Sequence, residues 1–416
     1  MFSYNIYLTT YFFAWLVVLI IFLFRKKQVG IGGTILISYL ISSLASIIFY
    51  IGLEFIAVGA DVGWEPLIYL FICFNICLLP IYKYSKQIAS LQVIMPKSKD
   101  SFVNGFLIIC SPFIVEAFFE ILYISLTTNT DSLGNIYEST KDIVGGNLSF
   151  LGKKTLSVCR YFHYIWPILL FYTQIRKSKL TIRIIPLLAI VTNLLEAYSG
   201  AQRVAIVRDI MYILMLYFLF KSSMGEDLRK KFIYYFVMSL TGLIILLAFI
   251  TISRFNSGNG DSDIWTWISL YAGEGPIRFC QYMWNIHNYG NGDNVFSLVK
   301  EFLGLDPITD MEQRRIRYEM ITGIPCLIFY TYIGDFYIDL GPVLTIVFCL
   351  GFCLLLTLYI KKCVKRGYLF IDSVLCLALV FLTLEFGFMY FVFKTYIIQA
   401  YLIPNFIFVL IYKFLK

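Results

Sequence analysis

Tyr4-Asn-Ile-Tyr-Leu-Thr-Thr-Tyr-Phe-Phe-Ala-Trp-Leu-Val-Val-Leu-Ile-Ile-Phe-Leu-Phe24, followed at once by Arg25-Lys26-Lys27, decides the class of this chain. It carries no charge and no apolar/polar alternation. At 1.5 Å per residue a helix of this length spans the hydrocarbon core of a bilayer, about 30 Å. The positive charges follow the apolar run instead of preceding it, and no small-residue cleavage site comes after. The run therefore reads as a retained span and not as a signal peptide.

The rest of the chain repeats this pattern. Of 416 residues, 59% are hydrophobic and 14% charged, with a mean hydropathy of +0.78. A soluble domain cannot hide so much apolar surface, because its surface must be wetted. Lipid demands that each segment satisfy its own backbone groups, and apolar runs of about 18 to 25 residues do so as helices. Spans are expected near 4–24, 31–51, 66–82, 102–126, 156–175, 184–199, 204–220, 232–252, 340–360, 368–390 and 395–413. The expected fold is thus all-α: a polytopic helical membrane protein of about eleven transmembrane helices. Residues 1–252 hold the first eight spans, 253–339 form one large loop, and 340–416 hold the last three.

Basic residues orient the chain. Arg25, Lys26 and Lys27 follow the first span, and Lys83, Lys86, Lys97 and Lys99 the third. Arg176, Lys177, Lys179 and Arg183 follow the fifth, and Lys221, Arg229, Lys230 and Lys231 the seventh. Lys361, Lys362, Lys365 and Arg366 follow the ninth, and Lys413 and Lys416 end the chain. Alternate loops thus hold 21 of the 34 Lys and Arg, which marks them as cytoplasmic. The N-terminus is expected outside, the C-terminus inside, and the large loop on the non-cytoplasmic side. The net charge of +8 has the same origin and needs no nucleic-acid partner.

Most of the ten cysteines lie inside apolar runs. Cys73/Cys77 and Cys349/Cys353 have helical spacing but no accompanying His or carboxylate, so they read as small apolar residues and not as metal ligands. Cys280 and Cys326 lie on the outer side and make no disulfide framework.

Charges gather in the large loop and just beneath it. Residues 253–263 are a turn-rich exit from the eighth span, and 264–272 are aromatic-rich and suited to the interface. Gly273-Glu274-Gly275-Pro276 is expected to break the chain, and 277–287 to form a short helix with Arg278, Trp284 and His287. Asp306-Pro307 has the form of a helix start, with Asp310 and Arg314 placed to pair four residues apart. Residues 323–334 are apolar but too short to span.

Ionisable groups at membrane depth are expensive and tend to be functional. Glu116 and Glu120, Arg160 and His163, Glu196, and Arg203, Arg208 and Asp209 all fall in the outer half by this topology; Glu385 belongs to the tenth span. Two readings stand side by side: an outward polar cavity capped by the loop, or internal ion pairs that hold helices together. Arginine keeps its charge and grips phosphate with a rigid fork, and aromatic rings stack on sugars. Such a cavity suits a lipid diphosphate bearing saccharides, whose departing charge arginine stabilises. No His-x-x-His or Gly-x-x-x-x-Gly-Lys motif is present, and neither a metal nor a cofactor is expected. His287, in the outer loop, is placed to take a proton from an attacking hydroxyl, with Glu274, Asp293 and Asp335 as rivals.

Four stretches carry a family resemblance. They are Ser199-Gly-Ala-Gln-Arg203; Arg254 at the end of the span before the loop; Tyr271-Ala-Gly-Glu-Gly-Pro276-Ile-Arg278; and Tyr330-Thr-Tyr-Ile-Gly334-Asp-Phe-Tyr337-Ile-Asp339-Leu-Gly341, followed directly by a span. Over roughly 195–360 the chain resembles the Wzy-type oligosaccharide repeat-unit polymerases, or O-antigen polymerases, with Leu340 where that family usually has Phe. The resemblance implies a GT-C-like architecture similar to the O-antigen ligases, in a bacterial cytoplasmic (inner) membrane. It implies a metal-independent glycosyltransferase acting on undecaprenyl-diphosphate-linked oligosaccharide, with a chain-length regulator as a possible protein partner. Mapped residue by residue, it implies that Arg203, Arg254 and Arg278 hold the diphosphate, with Arg208 and Arg160 behind them. His287 would be the base, and Tyr271, Trp284, Tyr337 and Asp335 would line the substrate site. A ligase that passes glycan to another acceptor, and a flippase that uses the intramembrane carboxylates, remain the alternatives.

Overall fold

The computed structural model describes residues 5–52, 62–127, 146–200, 202–256, 264–305, 311–324, 330–389, 391–393 and 396–415. Fifteen α-helices account for nearly all regular structure among them. In chain order these are α1 (Ile6–Lys26), α2 (Gly30–Gly52), α3 (Trp64–Ser90), α4 (Asp100–Thr127), α5 (Phe150–Tyr161), α6 (Ile165–Ile175), α7 (Leu180–Ser199) and α8 (Arg203–Phe220). They continue as α9 (Glu226–Asn256), α10 (Ile264–Arg278), α11 (Ser297–Phe302), α12 (Met311–Thr322), α13 (Tyr332–Arg366), α14 (Ile371–Phe386) and α15 (Tyr396–Phe414). Two-residue strands β1 (Gln92–Val93) and β2 (Tyr368–Leu369) pair in parallel. Among the described residues, six helices are long and apolar enough to cross a membrane: those at Ile6–Lys26, Gly30–Ile51, Trp64–Ser90, Lys97–Thr127, Leu180–Ser199 and Tyr332–Arg366. The protein is a helical membrane protein.

The chain forms two compact units. The first comprises Met1–Ala89, Ser262–Lys365 and Val380–Ala400. At its centre Trp15, which is fully buried, meets Tyr39 at 4.8 Å and Phe71 at 5.0 Å between ring centroids. Helix α10 runs unbroken through Gly273-Glu274-Gly275-Pro276, where a chain break was expected. Pro276 has no N–H, so the Ala272 carbonyl four residues earlier loses its helical donor. The Ser42 hydroxyl of α2 donates to that carbonyl, and the Ser46 hydroxyl donates to Gly273 O at 2.7 Å. Gly273 lies so close to the Ala45–Ser46 backbone that a Cβ has no room there. The glycine and proline are therefore helix–helix contact residues. Replacing Gly273 by Val is expected to force α10 off α2, lowering stability by about 3 kcal/mol and the thermal midpoint of the detergent-solubilised protein with it.

The remaining loop expectations also shift. Residues 277–287 do not form a separate helix: α10 ends at Arg278 and passes into one π-helical turn at Phe279–Met283. Asp306, Pro307 and Asp310 lie outside the described residues, and the next helix, α12, is described from Met311. Helix α13 starts at Tyr332, well before the expected ninth span, and bends at Gly341, whose φ of 75° is left-handed.

The second unit comprises Ser90–Asp261, Arg366–Leu379 and Tyr401–Lys416. Helix α4 packs on α5 and α7. The expected fifth span is broken at 162–164 into α5 and α6. Broken backbone at membrane depth needs substitute partners, and side chains provide them. The fully buried Asn405 accepts from Ile165 N at 3.0 Å and donates to Tyr161 O at 2.8 Å. Trp166 Nε1 donates to Cys159 O at 3.0 Å.

Candidate functional site

In the first unit the end of α10 brings charge and aromatic surface together. Glu274, 3% exposed, pairs with Arg278 one turn later at 3.4 Å. Arg278 Nη1 donates to Gln281 Oε1 at 2.9 Å. The guanidinium sits over the rings of Phe49 and Tyr282, 5.9 and 5.7 Å from their centroids. Two aromatic faces and two polar anchors hold it in one orientation. Among the described residues its Nη2 makes no hydrogen bond, and the side chain is largely buried. The π-helical turn follows directly, a local irregularity that often accompanies functional sites.

Beside it lies an aromatic platform. Tyr69, Phe279, Trp284 and Tyr337 have ring centroids 5.2 to 6.2 Å apart. Tyr337 is 3% exposed and its hydroxyl donates to Trp284 O, so it supports the platform from within. Trp284 is half-buried, as is Tyr271. Burial pushes the Cys280 thiol in this turn up to about 12.

The loop at 288–296 is fastened to the start of α13 by two carboxylates one turn apart. Asp339 accepts from Asn294 N at 3.1 Å and Val295 N at 2.6 Å. Asp335, 1% exposed, accepts from Asn294 Nδ2 at 2.9 Å. Asp293 binds Lys300 and, at 2.9 Å, Arg317 of α12. The stretch that carried the strongest family resemblance is therefore a clamp that sets the loop. Asp335 belongs to that clamp and is buried in it. His287 is exposed, outside any helix. The side chains of Arg203, at the start of α8, and Arg254, in α9, lie outside the described residues, as does Cys326.

In the second unit Arg160 bonds Glu196 through Nε at 2.8 Å and Nη2 at 2.5 Å. Arg208 Nε bonds Asp209 at 2.8 Å, and His163 Nε2 bonds the same carboxylate oxygen at 2.9 Å. Asn193 Nδ2 lies 3.1 Å from His163 Nδ1. On the reading of internal ion pairs, Glu116 and Glu120 would meet Arg160 and His163, but the described bonds of Glu120 go elsewhere. Glu120 instead bonds Ser149, whose hydroxyl caps α5 by accepting from Gly152 N at 2.9 Å. The capping serine turns its O–H toward α4, and Asp209 and Glu196 lie nearer the two bases. Both ring nitrogens of His163 are engaged, Nδ1 by Asn193 Nδ2 and Nε2 by Asp209, with Arg208 Nη2 3.2 Å from Nε2. The imidazole thus ties the helix break to α7 and α8. His163→Phe is expected to lower stability by about 2 kcal/mol, from a hydrogen bond lost by a buried carboxylate, measured as a lower thermal midpoint.

Comparison with known proteins adds no relative. No family model, curated protein or solved structure matches the chain. Sequence reading missed Asn294, Gln281 and Asn193, amides that carry no motif. It also passed over Asp261-Ser262-Asp263, an Asp-x-Asp spacing of the kind that metal-dependent transferases use, which lies outside the described residues. Among the described residues no group of three His, Cys, Asp or Glu is arranged to hold a metal ion.

Proposed function

We propose that the protein polymerises oligosaccharide repeat units carried on undecaprenyl diphosphate, at the outer face of a bacterial cytoplasmic membrane. In this reading the chain has eleven spans, its N-terminus outside and its C-terminus in the cytoplasm. The observation that carries it is Arg278: largely buried at the end of α10 and oriented by Phe49, Tyr282, Gln281 and Glu274. The resemblance over 195–360 supplies the substrate class.

The chemistry is a substitution at the anomeric carbon of the growing glycan. A hydroxyl of the incoming carrier-linked unit forms the new glycosidic bond as the bond to the diphosphate breaks. Arg278 stabilises the negative charge that develops on the leaving diphosphate. The hydroxyl proton passes to a base, for which exposed His287 is the outer-loop candidate. Trp284 and Tyr271 offer ring faces to the sugars.

The test is the purified protein incubated with carrier-linked repeat unit. A ladder of carrier-linked polymer supports the reading. Glycan moved to a different acceptor indicates a ligase, and no product overturns the reading. Running the reaction with a chelator tests metal independence, and loss of the ladder would point to Asp261 and Asp263.

A further inference from the structure

Among the described residues the two most exposed large apolar side chains are Phe302, at 87%, and Met320, at 81%. Both belong to helices of the large loop, α11 and α12, that are too short to span a bilayer. The stretch Ser297-Leu-Val-Lys-Glu-Phe-Leu-Gly-Leu305 shows how the surface forms. Gly304, at a left-handed φ of 64°, closes the helix. Leu303 N donates to Val299 O at 3.0 Å, and Leu305 N to Lys300 O at 2.8 Å. Ser297 is buried, while Val299, Leu303 and Leu305 are 51%, 59% and 66% exposed. On α12, Ile316 is 52% exposed and lies one turn before Met320, on the same face.

Basic residues of the two helices are held together. Lys300 and, at 2.9 Å, Arg317 Nη2 bind the same oxygen of Asp293, whose side chain is 4% exposed. One carboxylate thus ties α11 to α12 and draws these charges away from the apolar side chains. The position of α11 is set by α13. Asp339 holds the backbone of Asn294 and Val295, and α11 starts two residues later. Two extended and five helical residues place Phe302 within about 15 Å of Val295. One turn past Asp339, α13 shows its own apolar side, with Val343 71% and Val347 57% exposed. That helix is long and apolar enough to cross the membrane, so this side faces lipid. The apolar surface of the loop starts from the level at which α13 enters the bilayer.

We propose that Phe302, Leu303, Leu305, Ile316 and Met320 insert into the boundary between lipid headgroups and acyl chains on the loop's own side of the membrane, so that the lipid surface anchors the loop. Lipid fits this surface better than a protein does. A stable protein interface uses about 20–30 residues a side, whereas interfacial anchoring needs only a short apolar face backed by polar groups. Lipid is also already the solvent of the adjoining side of α13. Asp293 partly neutralises Lys300 and Arg317, which lowers the cost of bringing them to the interface. The loop is then held at both ends, by Asp339 at 294–295 and by lipid from Phe302 onward. The proposal does not depend on the glycan-polymerising reading.

The test uses the full wild-type chain in lipid nanodiscs of phosphatidylethanolamine and phosphatidylglycerol, so it needs no variant to fold. The protein is illuminated with a lipid-soluble diazirine and, separately, with a water-soluble one. Adducts are then located by peptide mass spectrometry. Residues 343–347 of α13 serve as the lipid reference and exposed Asn288 as the aqueous one. The lipid-soluble probe is expected to label 302–305 and Met320 about as strongly as 343–347, and about tenfold more than Asn288. The water-soluble probe is expected to reverse that order. Stronger labelling of 302–305 by the water-soluble probe would overturn the proposal, since the surface would then lie in water. Labelling by neither probe would overturn it too. If that protection disappeared with one chain per nanodisc, the occupant would be a second copy.

Discussion

Arg278→Ala is expected to abolish polymer formation, and Arg278→Lys to slow it by about a hundredfold, the usual effect of losing one oriented stabiliser of a developing anion. The difference between the two follows from geometry. Phe49 and Tyr282 flank a planar group, and Gln281 and Glu274 hold two of its nitrogens. An ammonium keeps the charge but cannot present a flat fork between the rings while meeting both anchors and a phosphate. Lysine therefore restores electrostatics without orientation. Gln281→Ala removes an anchor and leaves the charge, so its loss is expected to be smaller than that of Arg278→Lys. The measurement is the initial rate of ladder growth with purified protein at saturating repeat unit. The thermal midpoint of each variant separates lost chemistry from lost fold. Unchanged rates in Arg278→Ala would remove this residue from the diphosphate site.

How far the molecule was legible in its sequence depends on the range of the forces involved. The apolar run at 4–24 and its basic neighbours report burial in lipid and charge placement, both local properties of the chain. The helical membrane architecture could therefore be read directly. Residues 273–276 could not, because their helicity depends on a partner. Gly and Pro favour a break in isolation, and in α10 Ser42 of α2 donates to the Ala272 carbonyl that Pro276 leaves without a helical donor, with Ser46 donating to Gly273 O beside it. The break at 162–164 was hidden for the opposite reason. Arg160 and His163 mark polarity there but not a helix end, and Asn405, some 240 residues away, makes the interruption tolerable. At the site, Arg278 was legible because an arginine outside the positive-inside pattern stands out. The burial of Asp335 and Tyr337 was not, because a motif names residues without saying which way they face.

Asp339→Ala is expected to be the most damaging single change in the loop. Its two oxygens accept the backbone N–H groups of Asn294 and Val295, and Gly290 N donates to the neighbouring Ile338 O at 2.8 Å. Removing the carboxylate leaves two N–H groups without acceptors in a place where Asn294 is 8% and Val295 6% exposed. Each buried unsatisfied donor costs about 1–3 kcal/mol, so a loss of about 4 kcal/mol is expected. Asp339→Asn keeps one oxygen but turns an NH2 toward the second N–H, so it recovers only part of that loss. Asp335→Asn is expected to be milder, since an amide oxygen still accepts from Asn294 Nδ2. The order of damage, Asp339→Ala, then Asp339→Asn, then Asp335→Asn, separates a backbone clamp from a charge effect. A charge effect would make the two asparagine variants alike. Amide hydrogen exchange over 288–296 reads it directly. The peptide should exchange fastest in Asp339→Ala, with polymerising activity falling in the same order, because this loop leads out of the turn that carries Trp284 and holds Lys300 and Arg317 through Asp293.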